Sequence, residues 1–179
     1  MDDFMDYAYK VIIAGDGGVG KTTLLRRIAT QNYDPQSLTI GLNHEEWLIS
    51  EKSDVIHLIC WDLGGQEQFQ MIHHTYSTGT HGYIFAYDCT RPSTLWNIPL
   101  WIENLKQGQP KIEEIPKILI GTKYDLGSQI ETTVIAEFID EHHFLSHYLT
   151  SAKTGLNIKD LLDNFGRIIH KNYQGKWID

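Results

Sequence analysis

A short apolar run at residues 10–14 gives way to Gly15-Asp16-Gly17-Gly18-Val19-Gly20-Lys21-Thr22, and from Lys21 onward apolar residues recur at helical spacing. The octapeptide fits G-x-x-x-x-G-K-[ST] and stands where a phosphate-binding loop must, after a strand and opening a helix. Its glycines let the backbone wrap closely around phosphates with the N–H groups pointing inward, and the helix N-terminus adds a partial positive charge. Lys21 is placed to bridge β- and γ-oxygens, and Thr22 to give Mg²⁺ a hydroxyl. Thr23 is counted with the same nucleotide-binding set. A chance match in a chain this long has odds on the order of one in a hundred, and the flanking elements lower them further.

The rest of the chain alternates in the same way. Runs at 55–62, 83–88, 117–121 and 144–150 read as strands, several of them continuously apolar as buried parallel strands are. Between them, 21–30, 92–106, 132–142 and 158–172 carry apolar residues three and four apart, as in Ile158, Leu161, Leu162, Phe165 and Ile169. Pro92 suits a first helical turn, where its missing N–H costs nothing. Strands alternating with helices imply a doubly wound sheet. Residues 42–50 and 55–62 flank a polar turn and predict one antiparallel edge strand. In such sheets ligands bind beyond the carboxyl ends of the strands. No linker or repeat interrupts the pattern, so residues 1–179 are expected to form one domain.

A composition of 41% hydrophobic and 21% charged residues is that of a globular chain. The formal charge of -8 disfavours nucleic acid and anionic membrane surfaces, without excluding a local cationic pocket, since the diffuse field is screened beyond about 10 Å. The two cysteines, Cys60 and Cys89, lie in apolar runs and read as small buried side chains in a reducing compartment. No stretch has the length of a membrane span, and the acidic Met1-Asp2-Asp3 does not suit a signal peptide. Asp2 is not the glycine that myristoylation needs, and Lys176-Trp177-Ile178-Asp179 holds no prenylatable cysteine. A cytoplasmic monomer without its own lipid anchor, brought to membranes by a partner if at all, is the expectation.

Three more motifs follow the phosphate loop. Trp61-Asp62-Leu63-Gly64-Gly65-Gln66-Glu67 ends an apolar strand with a carboxylate suited to a Mg²⁺-bound water. It then offers the Gly65 N–H to a γ-phosphate and Gln66 to orient an attacking water. Gly121-Thr122-Lys123-Tyr124-Asp125 follows another strand. The Asp125 carboxylate can accept from guanine N1–H and N2–H₂, a donor pair that adenine lacks, and Lys123 can lay its stem along the base. Ser151-Ala152-Lys153 follows the last strand, where a backbone N–H could reach guanine O6.

Taken in order, the four motifs resemble the Ras-like small GTPase family over essentially the whole chain. The resemblance implies a P-loop NTPase fold: a six-stranded, mostly parallel sheet with one antiparallel edge strand and helices on both faces. It implies binding of GTP and GDP with Mg²⁺, slow hydrolysis, and two segments, 32–43 and 64–78, that rearrange with the γ-phosphate to switch signalling. Thr39 in Thr39-Ile40-Gly41 would give the metal its second hydroxyl, with Ser37 the alternative, and Tyr33 would stand against the nucleotide. Gly17 leaves room for the catalytic Gln66, beside Lys21 and Gly65. Protein effectors, activating proteins and exchange factors are the implied partners. No motif arginine is present; Arg91, the nearest candidate, reads as a surface residue. Thr122 replaces the family's usual Asn and removes an amide that ties base and phosphate loops together. The motifs mix Rab-, Rho- and Arf-like features, and the subfamily stays open. So do two rival functions: a non-cycling guanine-nucleotide-binding module and a nucleotide kinase. His143 and His147 are four residues apart with His142 adjacent, but 144–150 reads as a strand and no third ligand for zinc is evident.

Overall fold

In a computed structural model, residues 5–30, 32–33, 42–51, 54–64 and 75–174 are described. Their strands are β1 (Met5–Ala14), β2 (Leu42–Glu51), β3 (Asp54–Leu63), β4 (Gly82–Asp88), β5 (Lys117–Thr122) and β6 (His147–Leu149). The helices are α1 (Lys21–Thr30), α2 (Ser93–Trp96), α3 (Ile98–Lys106), α4 (Thr132–Glu141) and α5 (Ile158–Tyr173). These strands form one six-stranded sheet in the order β2-β3-β1-β4-β5-β6. Only β2 runs antiparallel, on β3 at the edge, as the polar turn in the sequence predicted.

Alternation along the strands divides the core in two. Val11 and Ile13 of β1, Leu58 and Cys60 of β3, and Ile84 and Ala86 of β4 face Leu24, Leu25 and Ile28 of α1 and Leu161, Phe165 and Ile169 of α5. Ile12, Tyr83, Phe85, Tyr87 and Leu119 face the other way, onto Ile98, Trp101 and Leu105 of α3 and Phe138 of α4. Central strand β4 is buried at every position, which is why it reads as an unbroken apolar run. Both cysteines lie in these layers, and burial pushes the thiols up, to about 12 for Cys60 and about 11 for Cys89.

Three boundaries differ from the sequence pattern. Strand β1 begins at Met5 rather than residue 10, because nine residues from Met5 to Ile13 pair in register with β3. The helix expected at 92–106 is two helices. Pro99 has no N–H to give the carbonyl four residues back, so the chain turns at Asn97 and restarts. The strand expected at 144–150 contracts to His147–Leu149, since Phe144 N–H bonds back to Ile139 O and Leu145 N–H to Lys117 O.

The register sets the position of the site. Ile13 pairs with Asp62, Ala14 with Phe85, and Asp88 with Thr122, so the carboxyl ends of four parallel strands finish on one edge of the sheet.

Candidate nucleotide site

The loop between β1 and α1 crosses that edge. Gly15 has φ +148°, and a Cβ there would stand 2.2 Å from the carbonyl oxygen of Ala86, so only glycine lets the loop pass so close to β4. Val19 is buried and fastens the loop to the core. Asp16 is held from α3 and the residue before it, where Trp101 Nε1–H donates to Oδ1 at 2.8 Å and Asn97 Nδ2–H to Oδ2 at 2.7 Å.

Lys21 opens α1 at 5% exposure, and its ammonium donates to Gly15 O at 2.6 Å and Asp16 O at 3.0 Å. Burial lowers its pKa to about 8, against the opposing pull of the Asp62 and Asp16 carboxylates. An ammonium held this way is a desolvated cation that an anionic ligand would stabilise. The Thr22 hydroxyl donates to the fully buried carboxylate of Asp62 at the end of β3. A hydroxyl and a carboxylate in contact, one residue from an ammonium, form a hard-oxygen donor set of the kind Mg²⁺ selects over softer metals.

Beside the loop, a cavity of about 160 Å³ is lined by Gly20, Thr23, Tyr33, Lys123, Asp125 and Ala152, together with Leu24, Leu126, Thr122, Thr150 and Lys153. Lys123 adopts the left-handed conformation at φ 57° and turns the chain into the 3₁₀ turn Tyr124–Leu126. Asp125 sits exposed in that turn, oriented by the Ser151 hydroxyl, which donates to Oδ1 at 2.6 Å. Ser151 is buried and accepts from the Thr154 N–H, so the carboxylate is braced from the end of β6.

Thr122 does not leave the gap expected from the loss of the asparagine amide. Its buried hydroxyl lies 2.5 Å from Val19 O and 2.9 Å from Tyr87 O, tying the base-side segment to the phosphate loop with one proton shared between two carbonyls. Arg91 is also more than a surface residue. Its Nε donates to Asp88 Oδ2 at 3.0 Å and its Nη2 to Gly17 O at 3.1 Å. Asp88 was not singled out from the sequence. An acidic residue closing a fully apolar strand, where the other motifs also lie, was the available signal. Trp101 and Asn97 carried no sequence signal, because their partner is 85 and 81 residues away.

Gly17, Gly18 and Gly20 complete the loop, Gly18 and Gly20 with positive φ. Thr39, Ser37, Gly65 and Gln66 lie outside the described residues, as do His73 and His74 of the second segment.

A glycine-rich loop between β1 and α1, an ammonium at the head of that helix and a mostly parallel sheet covered on both faces define the class of P-loop nucleotide-binding proteins. Residues 10–171 match the Ras family. The chain is 34% identical over 163 residues to the Ras-related protein RABD2b of Arabidopsis thaliana, covering 89% of this chain and 79% of that one. It is 33% identical to the Ras-related protein RabF1 of Dictyostelium discoideum, covering 87% and 80%. It is also 33% identical to the GTP-binding protein ypt4 of Schizosaccharomyces pombe, covering 87% and 68%. The chain belongs to the Ras family of small GTPases.

Among the described residues, no helix is long and apolar enough to cross a membrane.

Proposed function

We propose that this chain, acting as one domain, binds GTP with Mg²⁺, hydrolyses it slowly, and alternates between GTP- and GDP-bound surfaces read by protein effectors. The observation that carries the proposal is that Lys21, Asp62 and the Ser151-braced Asp125 all lie at one edge of the sheet, Asp125 lining a cavity bordered by Gly20 and Lys123. The relative ypt4 is called a GTP-binding protein, in agreement with it.

In this reading the cavity takes the base. Asp125 accepts from guanine N1–H and N2–H₂, the Lys123 stem and Tyr33 flank the ligand, and the backbone near Ala152 and Lys153 meets the O6 side. The amides of residues 15–23 and the Lys21 ammonium take the phosphates. Thr22 and Thr39, and Asp62 through water, would hold Mg²⁺, which when bound neutralises charge on the β- and γ-oxygens. Gln66 orients a water against the γ-phosphorus, and the Gly65 N–H holds a γ-phosphate oxygen. Attack breaks the bond to the β,γ-bridging oxygen, GDP leaves with the electron pair, and the water's protons end on phosphate and solvent. Lys21 offsets the charge developing on the leaving oxygen. A partner's arginine would raise turnover by about 10³- to 10⁵-fold. Loss of γ-phosphate would release Thr39 and Gly65, and exchange factors would restart the cycle.

Chromatography of the nucleotide released on denaturing the purified protein tests this directly. GDP or GTP is expected, and adenine nucleotides would overturn the assignment of Asp125. Replacing Asp125 by Ala should cost about 2–4 kcal/mol of GDP affinity, read by titration with a fluorescent analogue, because a buried donor pair on the base would lose a charged acceptor.

A further inference from the structure

Three consecutive carbonyls of the phosphate loop are gripped from outside by three side chains. Arg91 Nη2 bonds Gly17 O at 3.1 Å, Lys123 Nζ bonds Gly18 O at 2.7 Å, and the Thr122 hydroxyl reaches Val19 O at 2.5 Å. In a trans peptide the C=O and the following N–H point in opposite directions. Fixing these oxygens outward therefore turns the amides of Gly18, Val19 and Gly20 toward the loop interior. Val19 N–H is left with only a long 3.4 Å contact to Asp16 O.

Two of the three grips depend on one residue. The Asp88 carboxylate is 1% exposed, and its Oδ2 accepts from Lys123 Nζ at 2.7 Å and from Arg91 Nε at 3.0 Å. Oδ1 accepts the Thr90 N–H and hydroxyl at 2.9 and 2.7 Å, which fixes the rotamer. Burial raises its pKa, but the bonds from Lys123, Thr90 and Arg91 win and hold the carboxyl below its ordinary value.

We propose that Asp88 and Arg91 are positioning residues for the phosphate loop: Asp88 locks the two cations, and the cations aim the loop amides at the β-phosphate. This makes Arg91 a determinant of how long nucleotide stays bound. It contributes no charge to the transition state, because its guanidinium is engaged on the outer side of the loop. The inference rests on the nucleotide-binding reading above.

The test measures release of a fluorescent GDP analogue from the full chain, with the preference for GDP over IDP as the second readout. IDP lacks the N2 amine and so reports on Asp125 alone. Arg91→Ala should speed release about tenfold, the effect of one charged hydrogen bond at a half-exposed site, with the GDP:IDP preference kept. Arg91→Lys should fall between the two, since an ammonium cannot span Asp88 and Gly17 as the guanidinium fork does. Asp88→Asn frees both cations and should reach about a hundredfold. If that variant does not fold, the two Arg91 variants carry the test, because the Arg91 side chain is 44% exposed.

Release within about twofold of the parent in Arg91→Ala overturns the proposal, because one charge-assisted bond is worth more than that. Faster release with a collapsed GDP:IDP preference also overturns it, since Arg91 would then be supporting the whole pocket. A parent protein that binds no guanine nucleotide would instead refute the functional reading itself.

Discussion

Lys21 links the chemistry of the site to pH. With its pKa in the free protein near 8, it is largely neutral above that value, whereas phosphate needs the ammonium. Nucleotide binding above pH 8 must therefore take up a proton, and affinity should fall as pH rises, approaching tenfold per unit. Calorimetry in two buffers of different ionisation heat, at pH 8.5, should show uptake of about three-quarters of a proton; none would mean that Lys21 stays charged without ligand. His147 works at the opposite end of the scale. Burial lowers its pKa to about 4, and it is stacked on Tyr87 with Nε2 3.0 Å from the phenol oxygen. The unfolded chain binds a proton near pH 6.5 and the folded one does not, so stability should drop as pH falls from 6.5 toward 4 and recover on the way back. Urea melts should show His147→Phe losing most of that slope, about 2 kcal/mol across the window.

At the level of elements, α5 shows what a periodic pattern can and cannot reveal. Ile158, Leu161, Leu162, Phe165 and Ile169 were legible as one buried face, and all five are buried. The closeness of the packing was not legible: a Cβ at Gly82 of β4 would lie 2.8 Å from Phe165 Cζ and 2.5 Å from Ile169 Cδ1. Phe165→Ala should therefore cost about 3–5 kcal/mol in chemical denaturation, as an aromatic core deletion with little room to relax. Helix faces and the apolar strands β3, β4 and β5 follow from local spacing, so the sequence placed them. The first half of β1, Met5 to Tyr9, mixes acid and aromatic residues and becomes strand only through its pairing with β3. The site divides in the same way. Lys21, Asp62 and Asp125 stand in short motifs, whereas the Asp88–Arg91–Gly17 and Asp16–Trp101 ties join residues distant in sequence and leave no periodic trace.

Across the whole molecule, the two ends of the sheet have separate tasks. The carboxyl ends carry the site, while at the opposite end Tyr9 Oη lies 2.9 Å from His170 Nδ1 and His170 Nε2 lies 3.1 Å from Asp54 Oδ2, fastening α5 to β1 and β3. His170→Ala should lower the melting temperature by about 3–8 °C, a loss of one or two buried hydrogen bonds. GDP release should stay at the parental rate, and a change would show that the two ends are coupled. The antiparallel rung that pairs Leu42 with Leu63 has a mechanical consequence. Strands β2 and β3 form one hairpin whose register cannot slide, because a one-residue slip of β2 would carry Ile49 out of the core. The start of β2 and the end of β3 are therefore held together as one fixed pin at this edge of the sheet.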